Sequence, residues 1–468
     1  MLRSYGTHWT QGRLLVVLDI GKSNAKIVLL DPLNGAEIAS ARHPNASVMG
    51  DPVRQLDLAG LTRWLVDTLA SLPQRHRIGA IVPVAHGAAC VMLDAGGNPL
   101  LAPDYEDAVL DEESVAYDAL RDPFSQTFSP GLPTGLNLGR QIHFVQQRLP
   151  RLFDRVATIL PYAQYWSYVL SGIAASEVTS LGCHTDLWFP AQSRFSAMAE
   201  KQGWARRFPA PRPAGDVLGP VRQDIASRCG LPADCIILCG IHDSNASYLC
   251  HRMHRPDAAR FSVVSSGTWT VVLANGIETG ALRADRDMLA NVDAFGGLVG
   301  TARFMGGREY LAVAGEGAPP PTLAGLEQAL AAGAMVLPGF AAGGPFQGRR
   351  GAIIRADGLD GQARAALATL YVALLTDLVL DLLQSGGDIM VDGPLAQNPL
   401  YARLLAALRP ASPVFLGAGD AGPIGGARYL LLGKAVAPPA LRQAEPLPHF
   451  IPRLREEKRR WTEALPEA

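Results

Sequence analysis

Residues Val16 to Asp31 read VVLDIGKSNAKIVLLD, two apolar, β-rich runs joined by a short polar turn. This pattern constrains the chain more than any other. Two such runs close together fold as an antiparallel hairpin, and strands apolar on both faces must lie inside a layered sheet. The turn contains Gly-Lys-Ser, the last three letters of a phosphate-binding P-loop. A P-loop also needs a glycine five residues before Gly21, where this chain has Val16, and it must open a helix. Here Ile27-Val28-Leu29-Leu30 continues as β and stops at the turn Pro32-Leu33-Asn34-Gly35. The P-loop is excluded. A hairpin remains, with Gly21, Lys22, Ser23 and Asn24 at its tip and Asp19 and Lys26 beside it.

The theme returns at Arg260 to Leu273, RFSVVSSGTWTVVL, as a second apolar run, glycine turn and β-branched run. This faint internal repeat introduces each half of the chain. Between the hairpins, LAGLTRWLVDTLASL reads as a helix and IGAIVPVAHGAACVMLD as one buried strand with His86-Gly87 in its middle. Thr134 to Leu149 and Ala163 to Leu170 carry helical spacing. CIILCGIHDSNASYL runs from a buried strand through a polar turn into a helix. Ala312 to Pro345, rich in Ala, Gly and Pro, reads as irregular surface loops. A long helix ends at Gly386-Gly387, followed by the strand DIMVDG, the helix NPLYARLLAALRP, the strand–loop–helix VFLGAGDAGPIGGARYLLL and a Pro-rich, then charged, tail. Alternating strands and helices in both halves predict an α/β fold.

At 468 residues the chain is long enough for two or three domains. A net charge of −1 leaves no electrostatic footprint for nucleic acid or an acidic membrane. Hydrophobic residues make up 48% and charged residues 18%, as in a packed soluble enzyme. MLRSYGTHWTQGR lacks the apolar core of a signal peptide. The most apolar long segment, Ala363 to Leu383, carries Asp377 and Asp381 and reads as a core helix. The six cysteines lack the paired knuckles of structural zinc and read as reduced core residues of a cytoplasmic protein.

Two glycine turns at two hairpin tips suit backbone N–H groups that clamp phosphates, with added donors from Ser23, Ser265, Ser266 and Thr268. Lys22 and Lys26 can neutralise developing charge. Asp243, just beyond a buried strand, can act as a general base; read alone, it is a helix N-cap, with Asn245 a second option.

DIGKSNAK, AHGAACVMLD, GIHDSNAS, SSGTWT and VDGPLAQNPLYARLLAAL occur in the order of the FGGY family of carbohydrate kinases, which the chain resembles from Leu14 to about Lys434. The resemblance implies two ribonuclease H-like (actin-like ATPase) domains flanking a deep catalytic cleft. The expected division is a sugar-binding domain over 1–247, a nucleotide-binding domain over 248–434 and a tail over 435–468. It implies ATP and Mg²⁺, a small-molecule sugar substrate, and neither nucleic acid nor membrane; a homodimer stays open. By resemblance, Asp243 is the catalytic base and Asp19 the acid at the metal–phosphate end of ATP. Gly21, Lys22, Ser23, Asn24 and Lys26 belong to the first phosphate loop and Ser266, Gly267 and Thr268 to the second. Gly306 and Gly307 line the nucleotide, and Gly393 and Asn398 match the adenosine motif. His86, Gly87 and His242 match sugar-contacting positions.

The chain departs from the family pattern at Lys22 and Ala25, and at Pro394, which removes a backbone donor after Gly393. An ammonium at Lys22 is expected to meet the triphosphate. In motif style the chain resembles the rhamnulokinase and fuculokinase branch, which suggests phosphorylation of a ketose, deoxyketose or related polyol. Gln164, Tyr165 and His184 are candidate sugar contacts. An actin- or Hsp70-like ATPase module and a degenerate sugar-binding protein are the competing classes.

Overall fold

A computed structural model describes residues 12–417 and 422–465. The readings of the first residues and of the glycine loop after VFLG fall outside them. Backbone contacts divide the chain into two compact units. Unit 1 comprises residues 1–254, 290–298 and 422–438; unit 2 comprises 255–289, 299–421 and 439–468.

In unit 1, Leu14–Ile20 and Asn24–Leu30 form the expected hairpin, pairing Asp19 with Lys26. The sheet order is Val217–Pro220, Ile236–Leu238, Ile78–Ala85, Leu14–Ile20, Asn24–Leu30 and Glu37–Pro44, and Ile241–His242 also pairs with Ile78–Ala85. The side-chain period of two divides Leu14–Ile20 between two cores. Leu14, Val16 and Leu18 pack with Leu61, Leu65 and Leu69 of the helix Leu58–Ser71, whose N-terminus is capped by the Asp57 carboxylate. Leu15 and Val17 pack with Ala246 and Leu249 of the helix Asp243–Arg252 and with Ala427, Leu430 and Leu431 of the helix Gly422–Leu432.

Those last two helices touch closely because one is lined with glycine. A Cβ at Gly426 would lie 2.3 Å from the Ala246 carbonyl oxygen, and one at Gly422 would lie 2.7 Å from Ser247 Oγ. This contact explains why Gly422–Pro438 groups with unit 1, whereas the sequence reading set it in the second domain. The tail also divides. Ile451–Ala464 forms the expected terminal helix and groups with unit 2, where Trp461 Nε1 donates to the Val336 carbonyl at 2.8 Å.

Unit 2 repeats the theme. Phe261–Ser266 and Thr270–Asn275 form the second hairpin, and Phe261–Ser266 also pairs in parallel with Asp388–Asp392, as Leu14–Ile20 does with Ile78–Ala85. The helix Gly361–Leu382 is long and apolar enough to cross a membrane but is almost wholly buried in this unit. Its Asp377 meets Arg409 at 2.9 Å and Lys458 at 2.6 Å.

Three expectations need correction. The strand predicted through His86-Gly87 is two strands, Ile78–Ala85 and Cys90–Leu93, because the chain turns away after Ala85 and Ala88 takes a left-handed φ of 55°. The helix expected from Thr134 begins only at Leu138, after Thr134 itself adopts φ 53°. Ala312 to Pro345 is not all loop. Leu323–Ala331 is a helix capped by Thr322 Oγ1 and buried through Leu326, Ala329 and Leu330, and Met335–Leu337 is a strand. Composition hid a Thr-capped apolar stripe.

Candidate active site

In unit 1 the register gathers the expected acids. Leu14–Ile20 and Ile241–His242 flank Ile78–Ala85 in parallel, and Ile20 and His242 both align with Ala85. Asp19, His86 and Asp243 therefore share the C-terminal edge of three adjacent parallel strands, where open α/β sheets bind ligands. Burial, then the nearby Asp243 carboxylate, raises the Asp19 pKa to about 7, with Lys26 and Arg42 opposing. Asp243 is the first residue of its helix and His242 occupies the cap position, so Asp243 is not the N-cap; Asn245 lies within the helix. The Asp243 carboxylate, partly exposed, accepts from Ser244 N–H at 2.6 Å.

His86 is buried. Its Nδ1 bonds the Gly87 carbonyl at 2.8 Å, so Nδ1 carries the proton, and buried Nε2 has no protein partner. Burial pushes its pKa down to about 4, so the ring is neutral and Nε2 presents a lone pair. The ring lies 4.9 Å from that of Tyr162 and 5.9 Å from that of Tyr105. His242 Nε2 faces Asp243 at 3.3 Å and Cys183 Sγ at 3.8 Å, and Nδ1 meets the Asn245 amide at 3.2 Å. Burial opposes charge on this ring, but Cys183 and Asp243 outweigh it and hold the pKa above the ordinary value. A Cβ on Gly87 would lie 2.8 Å from His242 Nε2, so this glycine makes room for the imidazole.

Gln164 and Tyr165 lie on the helix Tyr162–Ser171. Gln164 is wholly buried, and its amide donates to the Gly240 carbonyl at 3.1 Å, which ties its helix to the sheet. Tyr165 packs in the core and borders a separate depression with Leu56, Thr62 and Leu101. His184 Nδ1 bonds the Leu136 carbonyl at 2.8 Å, in a left-handed backbone of φ 41°.

The first hairpin tip is closed by Gly21 N–H donating to the Asn24 carbonyl at 2.9 Å, with Ser23 and Asn24 exposed. Asn45, which sequence reasoning missed, pins the tip by donating from its side chain to the Gly21 carbonyl at 2.7 Å and from its backbone to that of Ser23. Lys26 faces Glu37 at 3.6 Å. The Lys22 ammonium, expected to meet the triphosphate, lies 2.8 Å from Asp104 Oδ1 in this structure. Only an acidic residue far along the chain could have signalled this.

In unit 2 the expected residues converge on one cavity of about 710 Å³, lined by Ser266, Gly267, Thr268, Gly306, Gly307 and Asn398. Sequence reasoning missed its apolar walls, Tyr310, Leu311, Pro320, Pro321 and Pro399. The glycines are required by close approach: a Cβ would lie 2.1 Å from Thr270 Oγ1 at Gly306 and 2.7 Å from the Gly267 carbonyl at Gly307. Gly393, at φ 80°, would put one 2.1 Å from the Ser266 carbonyl. Ser266 Oγ donates to the Asp392 carbonyl and accepts from Leu395 N–H, while Asn398 Oδ1 accepts from Leu400 and Tyr401 N–H. Among the described residues no three His, Cys, Asp or Glu side chains cluster to hold a metal, and the six cysteines are buried with no disulfide between them.

Two ribonuclease H-type sheets, an acid pair on one and a glycine-lined cavity on the other, define a class of phosphotransferase-like folds. The profile described as "Carbohydrate kinase FGGY, C-terminal domain" matches residues 258–439. The crystal structure of a carbohydrate kinase from Novosphingobium aromaticivorans is 36% identical, with TM-score 0.88, over 98% of this chain and 99% of that one. Plasmodium falciparum glycerol kinase with ADP shares the fold, at 12% identity and TM-score 0.78 over 98% and 100% of the two chains. The L-fuculokinase of Salmonella typhi is 23% identical over 302 residues, 61% of this chain. The match spans 62% of that curated relative's length. The chain belongs to the FGGY family of carbohydrate kinases, whose two actin-like ATPase domains it shares.

Proposed function

We propose that the protein transfers the γ-phosphoryl group of ATP to a hydroxyl of a ketose, deoxyketose or related polyol. The observation that carries this reading is the alignment of Asp19, His86 and Asp243 at one sheet edge. Asp243 takes the hydroxyl proton as the oxygen attacks the γ-phosphorus, and the β–γ bridging oxygen leaves with ADP. His86 Nε2, neutral and unpartnered, accepts a hydrogen bond from a second substrate hydroxyl. In unit 2 the nucleoside lies against Tyr310 and the prolines, with its phosphates at Gly267 and Thr268. On this reading unit 1 recognises the sugar and unit 2 the nucleotide.

Asp19 and Asp243 fit a magnesium ion. A carboxylate whose charge is disfavoured by burial and by its acidic neighbour, more than Lys26 and Arg42 offset, would gain from a bound cation, and Mg²⁺ uses one or two carboxylates while keeping waters. Bound there, the ion would neutralise phosphate charge, with Asp19 holding it directly or through water. Buried cysteines that form no disulfide fit the reducing cytoplasm.

A coupled ADP-release screen of ketoses, deoxyketoses, polyols and sugar acids tests the reading. Asp243→Asn should bind MgADP normally and lose at least ~10²-fold in turnover. Wild-type turnover in the folded variant, or ATP hydrolysis indifferent to every acceptor, would sink it.

A further inference from the structure

Lys22 stands where a phosphate ligand was expected, yet its bonds run the other way. Its ammonium meets Asp104 Oδ1 at 2.8 Å, Ser47 Oγ at 3.4 Å and Glu106 Oε2 at 3.6 Å. Two of the three ammonium donors have an acceptor within hydrogen-bond distance here, and Glu106 adds a negative charge at longer range. Asp104 is 1% exposed and equally committed. Oδ1 also accepts Glu106 N–H at 3.0 Å, while Oδ2 accepts Ser47 Oγ at 2.5 Å and Arg54 Nε at 2.9 Å. Burial disfavours its charge, but the Lys22 and Ser47 bonds prevail and hold its pKa below the usual carboxylate range. Moving Lys22 to a phosphate would take the nearest cation from a buried carboxylate, an expensive loss.

The segment so held carries Tyr105. Lys22 Nζ lies 5.4 Å from the centre of the Tyr105 ring, and that ring meets His86, whose Nε2 has no protein partner. The same segment is zipped to its neighbour by Arg54 N–H donating to Asp107 Oδ2 at 2.7 Å and Asp104 N–H donating to the Arg54 carbonyl at 2.8 Å. We propose that Lys22 is a positioning residue for the acceptor side of the reaction. Through Asp104 it fixes residues 103–107, and with them the wall that Tyr105 raises beside His86; it does not bind phosphate. This assignment rests on the kinase reading of the Asp19–His86–Asp243 edge.

Three measurements on the full chain test it: amide hydrogen exchange at Tyr105–Asp107, the imidazole ¹⁵N resonance of His86, and calorimetric titration with MgADP. Lys22→Met should speed exchange at those amides at least about tenfold and shift the His86 signal. MgADP affinity should stay within about threefold. Asp104→Asn should give the same signature from the other partner, and decides the matter if Lys22→Met does not fold. Lys22→Arg, which keeps the charge, should restore exchange and resonance alike. Unchanged exchange in Lys22→Met and Asp104→Asn, MgADP binding weakened about tenfold, or no recovery with arginine each overturns the proposal. A wild-type chain that binds no MgADP and phosphorylates no sugar would sink the kinase reading, while the exchange rates still decide what Lys22 holds.

Discussion

Asp19 shows how a single side chain trades stability for chemistry. Its carboxyl titrates near pH 7 in the folded chain, far above the ordinary 3.8. Between those values the folded state holds a proton that the unfolded state has released, so stability falls as pH rises through the window and stays low above it. Asp19→Asn should therefore stabilise the magnesium-free protein at pH 8, on the order of 2–4 kcal/mol, and leave it unchanged near pH 3. Urea unfolding at the two pH values checks this, and an equal effect at both would refute it. Added Mg²⁺ should narrow the gap at pH 8 by stabilising only the wild type. Identity of residues such as Asp19 and Asp243 was legible in the sequence because strand ends announce themselves. The partner of Lys22 was not, since nothing local to the first hairpin points to Asp104.

Among elements, the two hairpins were readable because apolar runs around a glycine turn have few other ways to fold. The pieces that failed were those decided by contacts far along the chain. His86-Gly87 breaks a strand that its apolar letters would continue, leaving Ile78–Ala85 and Cys90–Leu93 as separate strands. The cavity of unit 2 was half visible: its glycines could be found, but Pro320 and Pro321 come from a stretch that composition marked as loop. Gly393 carries the sharpest prediction at this scale. Gly393→Ala forces a methyl into the Ser266 carbonyl at a left-handed backbone position, so we expect about tenfold or more loss of MgADP affinity. Calorimetric titration of the folded variant gives the answer, and unaltered affinity would show that the hairpin and the Gly393 turn move apart freely.

At the scale of the whole chain, the terminal helix bears on the stability of unit 2. Lys458 reaches buried Asp377, which Arg409 also contacts. Lys458→Met keeps the aliphatic stem and removes the charge, so unit 2 should lose about 1–3 kcal/mol. A lower urea midpoint for the loss of MgADP binding would report it; an unmoved midpoint would mean that Arg409 alone suffices. The domain boundaries set from sequence missed the returns of the chain because a linear reading assumes that each body is written in one piece. Unit 1 is written in three, and its last, residues 422–438, supplies Ala427, Leu430 and Leu431 to one side of its sheet. On the ribosome that side has the helix Asp243–Arg252 but lacks this second part of its cover until synthesis has passed through most of unit 2. The nascent first body must wait, sticky and unfinished, for a segment not yet translated, so its maturation depends on chaperone shelter or on the pace of elongation.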